Sequence, residues 1–210
     1  VETGCFAARR VAVVALQRIG LRVGPGLVAL LAVDDKDLRR AVRDTFDASG
    51  LSEAEITAHL KRALPGASED LAIGIVRELA VIGPGAADAI PEMRAAYRDP
   101  GGRVRSWILW AFGRMGEAGR AGLPEVVDGL SCGDNDVMLN AVGTLDDWKG
   151  AGATEAVPAL RKILAGPPTD AVLHAGRVLI ELVGDEVIPD VARAAGPCLW
   201  DERYRNFALW

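Results

Sequence analysis

His59 and His174 are the two histidines of this 210-residue chain, and they lie far apart in it. Neither sits among cysteines or carboxylates at the spacing that zinc ligands adopt, so helix packing or solvation accounts for both and no metal site is expected. Cys5, Cys132 and Cys198 are odd in number and widely separated. They read as free, buried thiols rather than a disulfide framework. Asp146 and Asp147 could be taken as a carboxylate pair for acid–base work. On a helix, however, adjacent residues point about 100° apart, and solvation between structural units is the simpler role. The serines are few and none lies in a nucleophile elbow. Gly83-Pro-Gly85 and Gly101-Gly102 follow no strand, so no phosphate-binding fingerprint is present. No catalytic residue, cofactor or metal is expected.

Trp107 and Trp110 are three residues apart, share one face of a helix, and are flanked by Arg103 and Arg114. Trp107, Trp110 and Arg114 are therefore read in two ways, as packing between neighbouring units or as an aromatic–arginine patch of the kind enriched at binding hot spots.

The net charge of -5 argues against a general nucleic-acid binder, which draws most of its affinity from a basic face. No apolar run reaches the length of about 18 residues that a transmembrane helix needs. No signal-peptide pattern is present, which suggests a cytoplasmic location, while a start at Val1 rather than methionine keeps a removed leader open.

The elements that position these residues are set by six glycines, Gly20, Gly50, Gly83, Gly116, Gly150 and Gly184, spaced 30, 33, 33, 34 and 34 residues apart. A period of this size marks stacked supersecondary units. Each glycine closes an apolar run that predicts a first helix, over Ala8–Ile19, Leu38–Ser49, Leu71–Ile82, Val104–Met115, Val137–Lys149 and Ala171–Val183. Four residues before the glycine stand Leu16, Phe46, Leu79, Phe112 and Ile180, with Leu145 five before its glycine because the fifth unit carries one extra residue. Ala12, Val42, Ile75 and Ile108 lie four residues earlier still, which makes one buried stripe. The glycine supplies the left-handed residue that ends the helix.

A second helix follows each glycine. Four of them open on an apolar–proline pair, Ile90-Pro91, Leu123-Pro124, Val157-Pro158 and Ile188-Pro189, where proline removes no helical hydrogen bond. Gly26–Val33 and Ser52–Leu64 are the proline-free second helices of the first two units, and Ser52 with Glu55 forms a capping-box pattern.

Ile82-Gly83-Pro84-Gly85, the Ile90-Pro91 start, and Asp99-Pro100-Gly101-Gly102-Arg103-Val104-Arg105 together resemble the HEAT repeat, and are especially similar to bacterial HEAT repeats of the phycobilisome-lyase-like group. The resemblance implies an all-α fold, a right-handed α-solenoid of about six helical hairpins plus a partial seventh. Its units cover about 7–36, 37–69, 70–102, 103–135, 136–169 and 170–197 of a single domain, 1–210. It also implies an inter-repeat ladder in which Arg9, Arg39, Arg105 and Arg205 stand opposite Asp35, Asp99 and Asp201. Tyr204–Trp210 repeats the pattern of Val104–Trp110, so 198–210 is expected to be half of a seventh unit, cut from a longer array, or else a cap.

The family spans many roles; the expected function is a non-enzymatic scaffold that binds a protein or peptide along a concave face, which in the family is lined by second helices. Glu92, Arg98, Glu125, Asp128, Lys162, Asp190 and Arg193 fall off the apolar stripe of those helices and are the expected contact residues. Two alternatives share the resemblance. One is a HEAT-like alkylpurine DNA glycosylase, for which Trp107, Trp110, Trp148 and Asp147 supply the residue types; the other is a lyase or chaperone acting on a chromophore protein.

Overall fold

The computed structural model describes residues 25–98, 102–149, 153–167 and 169–199. The first predicted helix with Gly20, the ladder residues Arg9, Asp99, Asp201 and Arg205, Gly150, Cys5 and the half unit ending at Trp210 lie outside these residues.

Every regular element among the described residues is helical, and there is no strand. The α-helices in order are α1 (Pro25–Ala29), α2 (Lys36–Ala48), α3 (Glu53–Ala63), α4 (Glu69–Ile82), α5 (Ile90–Tyr97), α6 (Gly102–Arg114), α7 (Leu123–Gly129), α8 (Asn135–Asp147), α9 (Val157–Leu164), α10 (Asp170–Val183) and α11 (Ile188–Leu199). The even-numbered members are the predicted first helices, with ends shifted by one or two residues. Their starts have a local cause. Asp35 accepts from the N–H groups of Asp37 and Leu38, Ser68 from Leu71, and Asp134 from Asp136 and Val137. Each satisfies donors that a helix leaves open at its start, a contribution of about 1 kcal/mol. Ser52 and Glu55 close the predicted capping box at the start of α3.

The stops also follow the glycines. Gly50, Gly83, Gly116 and Gly184 all have positive φ. Gly83 (φ 70, ψ -132) and Gly184 (φ 88, ψ -161) go beyond the expected left-handed turn into a region that only glycine occupies at low cost. In the fifth unit the positive φ falls on Lys149, at 51°, one residue before Gly150. Counted from Lys149, Leu145 regains the four-residue spacing of the other units. The extra residue is thus accommodated after the helix stop, not within the helix.

Short 3-10 segments, Gly83–Ala89, Ala118–Gly122, Thr154–Ala156 and Asp185–Val187, precede α5, α7, α9 and α11. Pro91, Pro124 and Pro158 then fall in the first turn of their α-helices as expected.

Helix α4 packs against α6, α6 against α8, and α8 against α10. Ser106 meets Asn140, the Leu109 carbonyl meets Thr144 and the Phe112 carbonyl meets Trp148, so register advances together and α6 and α8 run parallel. Helices α5, α7 and α9 each pack on the even-numbered helix that follows them. The stripe residues Phe46, Ile75, Leu79, Ile108, Phe112 and Leu145 form the core of these layers. Each such burial contributes about 1.5–3 kcal/mol relative to exposure. In α10 Val178 and Leu179 are fully buried, with Ile180 only partly covered. The first hairpin differs in that α4 packs on the turn Leu30–Ala32, and Gly74 lies directly against the Leu31 carbonyl.

Candidate functional site

Helix α6 brings Trp107 and Trp110 to the surface because its core stripe runs through Val104, Ile108, Ala111, Phe112 and Met115. The two tryptophans lie on the adjacent flank and are partly buried. Their rings meet edge to face, with centroids 5.3 Å apart and planes at 88°, the arrangement that the ring quadrupoles favour. The guanidinium of Arg77 on α4 sits 4.6 Å over the Trp107 ring. Arg77 is held in turn by Asp34 at 3.6 Å, and Arg39 donates to the same carboxylate at 2.6 Å. Partial burial lowers the Arg77 guanidinium from its ordinary value.

Between α6 and α8 these rings open onto a groove of about 560 Å³. Its other side is built from Asp134, Asp136 and Asn140, with Ser106 beside the rings on α6 and Arg103 at one end. Asn140 donates to Ser106 Oγ at 2.8 Å and to the Asp136 carbonyl at 3.0 Å, which ties the two walls together. Arg103 leans away toward α4, 3.4 Å from Asp70 and 3.8 Å from Glu69. The site is a cleft with an aromatic wall, two amide or hydroxyl groups and exposed carboxylates. It holds no nucleophile–base pair, and no group of three potential metal ligands is found among the described residues.

Arg114, read with this patch, lies at the far end of α6 and is exposed. Its charge acts on Asp147, whose carboxyl is nevertheless pushed above the ordinary range by desolvation against α6. Asp146 points the other way and pairs with Arg177 and, at 3.9 Å, with His174 on α10. The two adjacent carboxylates therefore serve different interfaces. Trp148 is buried, and its indole Nε1 donates to the Phe112 carbonyl. Trp107, Trp110, Trp148 and Asp147 thus do not converge on one surface.

The second-helix residues are mostly committed within the molecule. Glu125 is buried, not exposed as its position off the apolar stripe implied, and Arg94 Nε donates to both of its carboxylate oxygens at 2.8 and 2.9 Å. Asp128 accepts from Tyr97 Oη at 3.0 Å. Asp190 pairs with Arg193 at 3.1 Å and with Arg161 at 4.0 Å. Glu92 is partly buried beside the Leu64–Ala67 turn, while Arg98 and Lys162 are exposed.

Of the expected ladder, Asp35, Arg39 and Arg105 fall among the described residues: Asp35 caps α2, and Arg39 pairs with Asp34. Arg105 donates from Nε to the Tyr97 carbonyl at 2.9 Å and lies 5.2 Å over the Tyr97 ring. Cross-unit polar contacts also run through Arg43–Glu78, Arg94–Glu125, Tyr97–Asp128, Asn140–Ser106 and Arg177–Asp146, separated by roughly one repeat in each case. For the three ion pairs among them the signal was present in the sequence as opposite charges one period apart, but it does not lie within any one unit.

Comparison with protein-family models and with curated proteins gives no match for this chain.

Proposed function

We propose that the chain is a HEAT-like solenoid of helical hairpins that acts without enzymatic chemistry, binding a segment of another protein in the groove between α6 and α8. Successive packing of α4, α6, α8 and α10, with polar contacts recurring about one repeat apart, supports the solenoid reading. The observation that carries the binding reading is the placement of Trp107 and Trp110, two large aromatic side chains left partly open on a groove lined by hydrogen-bonding groups. Rigid aromatic anchors beside adaptable polar groups are what protein-binding surfaces use. This moves the expected surface from the second helices, whose charges are largely paired internally, to the outer flank of the first helices. No helix among the described residues is long and apolar enough to cross a membrane, so no described segment competes for this surface as a membrane anchor.

Panning a displayed random-peptide library against the protein tests the reading. Enriched peptides should bind the Lys162→Ala variant as they bind the parent and lose at least tenfold in affinity for Trp110→Ala, with the thermal midpoint of each variant checked alongside. Binding to Trp110→Ala and Trp107→Ala that matches binding to the parent would overturn it.

A further inference from the structure

We infer that the occupant of the α6–α8 groove is a basic side chain, a lysine or arginine of the bound segment, seated between the Trp110 ring and the Asp136 carboxylate. The inference rests on the groove being the docking surface. Its warrant is the charge around the rings. Among the described residues Arg103 is the one cation lining the groove, and it is already engaged by Asp70 and Glu69 of α4. Asp134 is committed through Oδ1 to the first N–H groups of α8, where it caps the helix. Asp136 is exposed, lines the same groove, and has no ion-pair partner among the described residues. The cleft therefore presents unbalanced negative charge next to an aromatic wall. An ammonium or guanidinium group satisfies both, through the ring quadrupole and the carboxylate. The same molecule already places a guanidinium on the neighbouring ring, where Arg77 covers Trp107. Trp110 stands at right angles to that ring and has no internal cation over it among the described residues. An acidic side chain would meet Asp134 and Asp136 with like charge, and an apolar one would leave Asp136 without a partner.

The test is a titration of the ¹⁵N-labelled protein with four capped tripeptides, acetyl-Ala-X-Ala-amide with X as Lys, Arg, Glu or Leu. The readout is the indole N–H resonances of Trp107 and Trp110, assigned from the Trp107→Phe and Trp110→Phe variants. The Lys and Arg peptides should shift these resonances saturably, with apparent affinity at least fivefold above the Glu peptide. The preference should shrink in 0.5 M salt, where screening shortens the reach of charge to about 4 Å. Asp136→Asn should reduce the Lys and Arg affinities severalfold without altering the rest of the spectrum, since the backbone N–H of residue 136, not its side chain, serves the helix cap. Equal shifts from all four peptides, or an Asp136→Asn variant that binds the Lys peptide unchanged, would overturn the basic-residue assignment and leave the docking reading standing. If no peptide shifts either indole, both fail.

Discussion

Arg94 on α5 grips Glu125 on α7 with one nitrogen against both carboxylate oxygens, and the Glu125 side chain is 8% exposed where that of Arg94 is 35%. The carboxylate has left water and depends on that one guanidinium among the described ion pairs. Arg43 and Glu78 repeat the arrangement one layer earlier, with side chains 41% and 4% exposed. The Arg43–Glu78 pair joins first helices of consecutive units, α2 and α4, and the Arg94–Glu125 pair joins second helices, α5 and α7; in each the acid is inside and the arginine bridges from nearer the surface.

Removing the arginine leaves a desolvated carboxylate, and this costs more than removing both groups together. Arg94→Leu should lower unfolding free energy by about 2 kcal/mol, a figure already reduced for the exposure of the guanidinium. Arg94→Leu with Glu125→Leu should recover at least half of that loss. Urea denaturation of these two variants and of Glu125→Leu alone decides it. A loss equal to the sum of the single changes would show that the pair is not coupled. The same pairing means that charge reversal at Glu125 would weaken partner capture by unfolding the α5–α7 contact, whatever face the partner uses.

Two glycines in helix interiors should respond in opposite directions to alanine. At Gly74 a Cβ would run into the Leu31 backbone carbonyl, which a rotamer change cannot relieve. Gly74→Ala should cost about 1–3 kcal/mol, the range for overpacking against a fixed neighbour. At Gly143 on α8 nothing lies within 4 Å of the Cβ position. Gly143→Ala should stabilise the protein by up to about 1 kcal/mol through helix propensity alone. Thermal midpoints that move the same way for both would contradict the placement of Leu31 on α4.

The period, the helix stops, the proline starts and the Ser52–Glu55 box were legible in the sequence because each depends on residues a few positions apart. Phe46, Leu79, Phe112 and Leu145 could be assigned to the core for the same reason. Partners one unit away could not be read in this way. Asp35 and Asp34 are adjacent, and only the approach of Arg39 and Arg77 distinguishes the capping aspartate from the bridging one. Glu125 follows Pro124 in a first helical turn, where an acidic residue is favoured by the helix dipole whether exposed or not. Its burial is decided by α5, and helical periodicity carries no information about that neighbour. Trp107 and Trp110 could be recognised as a pair from their spacing. That they open on a groove and do not fill an interface depends on the small Ser106 beside them on α6 and on Asn140 facing them from α8.

Lys149 holds a left-handed conformation that costs a residue with a Cβ about 1–2 kcal/mol, partly offset in glycine by its larger unfolded-state freedom. Lys149→Gly should therefore raise stability by about 0.5–1 kcal/mol. Lys149→Ala should be neutral within about 0.5 kcal/mol, since it keeps the Cβ and changes only an exposed chain end. If both variants melt alike, the helix stop in the fifth unit lies elsewhere, at Gly150.

Tyr97 is buried with its hydroxyl donating to Asp128, and burial is the main reason its phenol is raised well above the ordinary value near 10.0, with the Asp128 hydrogen bond and charge adding to it. A raised folded-state value means that the folded protein holds the proton over a pH range where the unfolded chain releases it. The associated stability is complete below about pH 10 and is lost as pH rises from there toward the folded value. In a Tyr204→Phe background, where Tyr97 alone reports, tyrosinate absorbance should therefore appear only together with loss of helical circular dichroism above pH 10. Asp128→Asn removes the carboxylate charge facing the phenol, so tyrosinate should form at lower pH than in the parent. Ionisation near pH 10 with the helices intact would contradict the burial of Tyr97, and with it the packing of α5 against α7.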